Sequence, residues 1–249
     1  MPVDRREVRA EHGLLRVEQH FRAAASTIGT DVSGPAVIYA EVRVVSGRVR
    51  YFHGPDVVCA PRRFAIVIPP GGLVRAQLQS AEVRVSAIAF RPGLIGALPP
   101  TAVLLEPISE SAGIENVQTL LSSTSRPIGI GQPFKVTALT QAAKAIIDTE
   151  YACARLRIGN IAARLHSAAP VLSRSFKECY GLPPVQYRHR VRVMDALLRF
   201  AEGAGPLTVS QDVGFDDLGR FYRIFKTVAC APPGPYRAGR SKNAKTAGH

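Results

Sequence analysis

Two short stretches of this chain carry the same basic side chains in the same frame. Between "SRSFKECYGLPPVQYR" (173–188) and "YRIFKTVACAPPGPYR" (222–237), seven residues recur at a spacing of 49. They are Arg174, Phe176, Lys177, Pro183, Pro184, Tyr187 and Arg188, which return as Arg223, Phe225, Lys226, Pro232, Pro233, Tyr236 and Arg237. An arginine fork donates two hydrogen bonds to O6 and N7 of a guanine, whereas a lysine neutralises a phosphate. The chemistry open to these residues is recognition of nucleic acid rather than bond making. Local patterns for catalysis are missing from the sequence: there is no HxH or CxxC pair and no Ser-His-Asp or Cys-His arrangement. No metal ligand set and no cofactor are expected, and the chain does not read as an enzyme.

Each basic stretch needs a helix that turns its cations outward. In the first, Leu172, Phe176 and Cys179 fall at i, i+4 and i+7 and should face inward, leaving Pro170, Ser173, Arg174 and Lys177 outside. In the second, Phe221, Ile224, Phe225 and Val228 face inward, leaving Gly219, Arg220, Arg223 and Lys226 outside. A shorter helix and a turn precede each: "IGNIAARL" then "HSAA", and "PLTVSQDV" then "GFDD", the second turn being one residue longer. Pro170 suits a first helical turn, where its missing N–H has no partner to lose. Ser167 and either Asp216 or Asp217 are placed to cap.

Between the two units, "QYRHRVRVMDALLRFAEG" reads as a connecting helix with Val191, Met194, Leu197 and Leu198 as its apolar stripe. Its Arg188, Arg190 and Arg192 are candidate phosphate contacts, although a solvated face suits any one of them equally. "FKVTALTQAAKAIIDTEYA" reads as a further helix, with Leu139, Ala142, Ala143 and Ile146 on one side. Two helix–turn–helix units on a rigid connector suit successive major grooves, about 34 Å apart on one face of B-DNA.

Charge divides the chain in the same place as pattern. Residues 1–133 hold 14 Lys+Arg against 11 Asp+Glu, a balance of +3, while residues 134–249 hold 18 against 8, a balance of +10. The basic half predicts a polyanion partner. The expected organisation is residues 1–125 as a β-rich domain, 126–133 as a linker, 134–237 as the DNA-binding domain, and 238–249 as a disordered basic tail. Helix–turn–helix motifs are expected at about 158–179 and 206–228.

In the front half, residues 36–90 read as strands. "AVIYAEVRVVSGRVRYF" gives two alternating runs with a hairpin signal at Ser46-Gly47. "RRFAIVIPPGG" is a strand halted by its prolines and glycines, and "LVRAQLQ" and "AEVRVSAIAF" follow as two more. Several short strands suggest a small barrel or sandwich. "PPGG" and "IGIGQP" lack the context of a nucleotide site and read as turns, and His53 reads as a turn or surface residue. Tyr39, Arg43, Tyr51 and Phe64 are candidates to line an effector pocket, although the same positions equally suit the barrel's own core. The four cysteines, Cys59, Cys153, Cys179 and Cys230, are expected to be small buried residues in a reducing compartment. No apolar run is long enough to cross a bilayer and the charged N-terminus has no signal-peptide core, so a cytoplasmic location without membrane contact is expected.

Residues 134–237 resemble the C-terminal domain of AraC/XylS-type transcriptional regulators. The resemblance rests on "NIAARL…LSRSFKECYGLPPVQY" for the first unit and on "VGFDDLGRFYRIFK" with "PPGPYR" for the second. It implies an α+β chain of two domains: an N-terminal β-rich cupin-like barrel, and a C-terminal all-α domain with two helix–turn–helix motifs joined by a linker helix. It implies sequence-specific binding of double-stranded DNA at a promoter or operator by two recognition helices. It also leaves room for RNA polymerase, a small-molecule effector and a second copy of the chain as partners. Four positions depart from the pattern. His166 and Cys230 stand where glycine is usual, and Ala169-Pro170 and Gly219 replace longer side chains at the starts of the two recognition helices. The alternative is a cupin-like ligand-binding protein or enzyme joined to a general nucleic-acid binder. Equal affinity for specific and random duplexes would favour it.

Overall fold

Among the described residues, nine strands of the front half form one antiparallel sheet, and six α-helices lie in the back half. In chain order they are β1 (Val3–Glu11), β2 (Leu14–Arg22), β3 (Thr27–Val32), β4 (Val37–His53), β5 (Asp56–Cys59), β6 (Arg63–Ile68), β7 (Leu73–Phe90), β8 (Val103–Leu105) and β9 (Ile128–Gly129). The helices are α1 (Ala138–Glu150), α2 (Ile158–Arg164), α3 (Ala169–Tyr180), α4 (Pro184–Ala201), α5 (Pro206–Asp212) and α6 (Leu218–Ala229). This computed structural model describes residues 3–11, 13–105 and 135–236, together with 117, 119, 121, 122, 127–131 and 133. Arg237 and the basic tail lie outside the described residues.

The sheet runs β1-β2-β7-β4-β6-β8-β9, with β3 also on β7 and β5 also on β4. The N-terminal part is thus β-rich and the C-terminal part helical, as expected. The first three strands precede the region read as β, although Leu15 and Val17 alternate with exposed Arg16 and Glu18 as a half-buried strand must.

Ser46-Gly47 is not a hairpin turn. β4 continues through it as one strand, and both of its arms pair with β7, itself one strand where two were expected. The register shifts between Val44 and Ser46 and again between Ser46 and Arg48, which marks a bulge. Gly47 takes a left-handed φ of 72°, and a Cβ there would lie 2.3 Å from the Ser80 carbonyl oxygen. The bulge has a packing reason. Before it the inward residues of β4 are Val42 and Val44, and after it Val49 and Tyr51, so the inward set changes from even to odd positions. Without that slip the second arm would turn its apolar residues to solvent.

Residues 128–130, expected in a linker, belong to the sheet. Ile128 and Gly129 pair with β8, the Ile130 N–H donates to the Ala102 carbonyl at 2.9 Å, and Ile130 is fully buried. The Pro69–Gly72 stretch does make a turn, in which the Gly72 N–H donates to the Pro69 carbonyl. Only Cys179 of the four cysteines is buried; Cys59, Cys153 and Cys230 are exposed, contrary to expectation.

The sheet and the helices share a core. Val8, Ala10, Leu15, Val17, Ala36 and Ala89 pack with Val193, Ala196, Leu197, Leu198, Phe200 and Ala201 of α4, and that cluster continues into Phe221 and Phe225 of α6. Burial of one such phenylalanine contributes about 1.5–3 kcal/mol. The connecting helix therefore packs against the β-sheet as well as between the two helical units. On α1 the buried centre is Thr140, Ala143 and Ile147, with Leu139 and Ile146 at its margins. No described helix is long and apolar enough to cross a membrane.

Candidate nucleic-acid interface

The two repeated stretches form two similar units. Leu172, Phe176, Cys179 and Tyr180 of α3 are buried, as are Phe221, Phe225 and Ala229 of α6. Pro170 sits in the first turn of α3 and is exposed there, as are Arg174 and Lys177. Gly219, Arg220, Arg223 and Lys226 are exposed along α6, and Ser173 is half-buried. At the repeat spacing Arg174 corresponds to Arg223 and Lys177 to Lys226, so each outward face carries an Arg–Lys pair one helical turn long. Two residues were missed: Val171 is 54% and Tyr222 38% exposed, and both lie on these faces. The repeat frame would have found Tyr222, which stands where the first unit has Ser173.

The caps of α3 and α6 differ. Asp217 accepts from the Arg220 N–H at 2.5 Å and caps α6. Ser167 does not cap α3; Ala168 occupies that position without a side-chain hydrogen bond. Proline at the second residue removes one of the N–H groups that a cap would otherwise satisfy. At the turns after α2 and α5, His166 takes φ 49° and Gly214 takes φ 85°. Both turns need the left-handed conformation, and only the second has the residue that adopts it freely. Cys230 follows α6 at φ 55°, the place of the glycine after α3.

Tyr187 and Tyr236, equivalent in the repeat, are both fully buried behind α3 and α6 respectively. Tyr187 donates to Asp148 of α1 at 2.6 Å, and Tyr236 donates to the Ala229 carbonyl at 3.0 Å. Burial and the neighbouring Asp148 push the Tyr187 hydroxyl well above its ordinary range, so it stays a donor. Arg164 and Glu150 make a two-pronged ion pair, each contact 2.7 Å, that ties α2 to α1.

The connecting helix does not present its arginines as expected. The Arg188 guanidinium donates to the carbonyls of Tyr151, Leu156 and Cys153, which organises the α1–α2 connection. Arg192, 5% exposed, donates to the Tyr151 carbonyl at 2.6 Å and stacks over Phe215 at 4.9 Å. Both are held by main chain rather than free for phosphate. Burial and then Arg220 lower the Arg188 pKa, and burial, Arg188 and Arg220 lower that of Arg192. Arg190 is half-buried. His189 lies in the same cluster, and burial with Arg192, Arg220 and Arg188 lowers its pKa to about 4.

The four residues considered for an effector pocket are not brought together. Tyr51 and Phe64 meet edge to face, centroids 5.7 Å apart, in the core on one side of the sheet. Tyr39 belongs to the cluster on the other side and donates to Glu41 at 3.1 Å, while Arg43 is exposed. His53 is half-buried at the end of β4, close against Gly129. Among the described residues, no three His, Cys, Asp or Glu side chains are grouped as metal ligands.

Residues 161–239 match the family described as a helix-turn-helix domain. Over 94 residues the chain is 31% identical to the arabinose operon regulatory proteins of Salmonella typhimurium and Escherichia coli, 37% of this chain in each case. The segment that matches lies in the helical domain. Its matched segment covers 34% and 32% of those two proteins, so the chain spans about a third of the length of the curated relatives it matches. ToxT from Vibrio cholerae, in its P21 crystal form, aligns with 89% of this chain and 97% of its own, at 11% identity and a TM-score of 0.46. Within the helical domain, α2 with α3 and α5 with α6 are the two helix–turn–helix units.

Proposed function

We propose that this chain is a DNA-binding transcription regulator whose α3 and α6 enter successive major grooves of one duplex. The observation that carries the reading is the pair of equivalent exposed faces, Arg174 with Lys177 and Arg223 with Lys226, each backed by a buried aromatic core. Arg174 and Arg223 are the base-reading residues, with Ser173 and Arg220 supporting them. Lys177, Lys226 and Arg190 reach phosphates, and Gly219 lets the backbone approach closely. Arg188 acts as a positioning residue through its three carbonyl bonds. Arg237 completes the set of basic candidates from the sequence. Val171 and Tyr222 offer apolar surface to thymine methyl groups.

The β-rich part modulates the DNA-binding domain, and the shared core along α4 supplies a path for it. An effector, RNA polymerase and a second copy of the chain belong to this reading as partners, residues 1–125 being the modulating domain and 134–237 the reading one. Selection of bound duplexes from a random pool tests it. Two half-motifs one helical turn apart support the two-groove mode. Equal affinity for selected and random duplexes across a salt series sinks it in favour of a general polyanion binder.

A further inference from the structure

A row of like charges crosses the β-sheet. Arg63 on β6 lies directly opposite Arg43 on β4, and Arg43 lies directly opposite Arg84 on β7. All three are exposed. Directly opposite residues of antiparallel strands share a face with Cβ atoms roughly 4.5–5.5 Å apart, where like charges are destabilising. The alternation agrees: their chain neighbours Val42, Val44, Phe64, Val83 and Val85 pack in the core on the opposite face. Arg62 adds a fourth cation at the edge of the row, held by a bond to the Val45 carbonyl at 3.2 Å.

Carboxylates nearby are engaged elsewhere. Glu82 holds His20 at 2.9 Å and Arg22 at 3.6 Å, Glu18 accepts from Ser86 at 2.6 Å, and Glu41 accepts from Tyr39. Among the described residues, no ion pair includes Arg43, Arg63 or Arg84. Beside the row is a hollow of about 340 Å³ lined by Arg43, Val44, Val45, Arg62 and Arg63.

We propose that this hollow binds a small polyvalent anion, a phosphorylated or multi-carboxylate metabolite, between the guanidinium groups of Arg43, Arg62 and Arg63. Guanidinium forks match phosphate and carboxylate oxygens two at a time, and a shared anion converts the repulsion along the row into attraction. Arg84 contributes field from the far side of Arg43. A small ligand fits better than a duplex because the cations surround a concavity instead of following a long stripe. The site deepens the sensing role proposed above, on which its consequence for DNA rests, while its existence rests on the sheet register and the hollow beside it.

The test titrates the full chain with inorganic pyrophosphate and, separately, with citrate, at constant ionic strength, by calorimetry and melting. A saturable, single-site rise in Tm with one or both is expected; the preferred anion separates phosphate from carboxylate sources. The double variant Arg43→Gln/Arg63→Gln loses affinity roughly tenfold or more. Arg174→Gln/Arg223→Gln, which alters the recognition helices, keeps it. Without multivalent anion the Arg43→Gln/Arg63→Gln protein melts no lower than the wild type, because two like-charge contacts are relieved. Absent or unsaturable binding overturns the proposal, as does equal loss in both double variants or a clearly lower melting point for the first. If the Arg43→Gln/Arg63→Gln protein also loses duplex affinity as the recognition variant does, the row contacts DNA and the proposal falls. Anion binding that leaves duplex affinity unchanged supports the site and overturns the sensing role instead.

Discussion

Arg91, the first residue after β7, reaches Asp195 in the middle of α4 at 3.0 Å and Glu202 just past its end at 2.7 Å. Asp195 is almost wholly buried, its side chain 1% exposed, and also accepts from Arg199 at 2.9 Å and from Tyr151 at 3.1 Å. Arg199 continues to Asp212 of α5 at 2.6 Å. One carboxylate thus ties the β-sheet, the end of α1, the connecting helix and the second helix–turn–helix unit together. The Tyr151 hydroxyl beside it is pushed up to about 12, chiefly by burial and then by the Asp195 charge.

Asp195→Ala removes the shared acceptor and leaves Arg199 and Tyr151 partly buried without it. Loss of about 3–5 kcal/mol of stability is expected, read from the urea midpoint. Arg91→Ala costs less, because its guanidinium is already partly in water. Equal costs for the two variants would show that the hub is not centred on Asp195.

Arg174→Ala and Arg223→Ala should each weaken binding to a selected duplex by about 1–3 kcal/mol and relax preference at one base pair. Lys226→Ala should weaken all duplexes alike and reduce the salt slope by about one. Competition binding against single-base variants of the site separates the two. A uniform loss for Arg223→Ala would reassign that residue to a phosphate.

The turns after α2 and α5 both need a left-handed residue, so adding glycine at one and removing it from the other should act in opposite directions. His166 holds a left-handed backbone that costs an ordinary residue about 1–2 kcal/mol, so His166→Gly should raise the melting temperature, less the entropy that glycine adds to the unfolded chain. Gly214→Ala should lower it, because the new Cβ would fall 1.9 Å from the Ala152 carbonyl oxygen. Circular dichroism melts of the two variants check both signs.

His189 makes stability depend on acid. Its folded pKa is lowered to about 4 from 6.5, by burial first and the surrounding arginines next. Between those values the unfolded chain takes up a proton that the folded chain refuses, so stability is lost as pH falls through the window and is unaffected above it. His189→Gln should lose less stability than the wild type between about pH 7.5 and about pH 5. An equal loss would remove His189 as a source of the dependence.

What the sequence by itself determined was the helical half. The 49-residue repeat, the apolar spacing through Phe176 and Phe225 and an aspartate cap at Asp216 or Asp217 are local, and local periodicity records which side of a helix must be buried; the structure chose Asp217. The cations of α3 and α6 were legible for the same reason. Tertiary structure decided what depends on distant partners. Ser46-Gly47 carries the composition of a turn, yet it is a bulge because β7 is long enough to pair with both arms of β4. Arg188 and Arg192 match Arg190 in type, but only they meet the open carbonyls at the end of α1. Tyr39 and Tyr51 look alike as pocket residues, while the parity change at the bulge and the register across the sheet place them in cores on opposite faces. The alignment of Arg63, Arg43 and Arg84 is likewise invisible along the chain. It exists only because three strands distant in sequence pair in one register, which long-range burial selects.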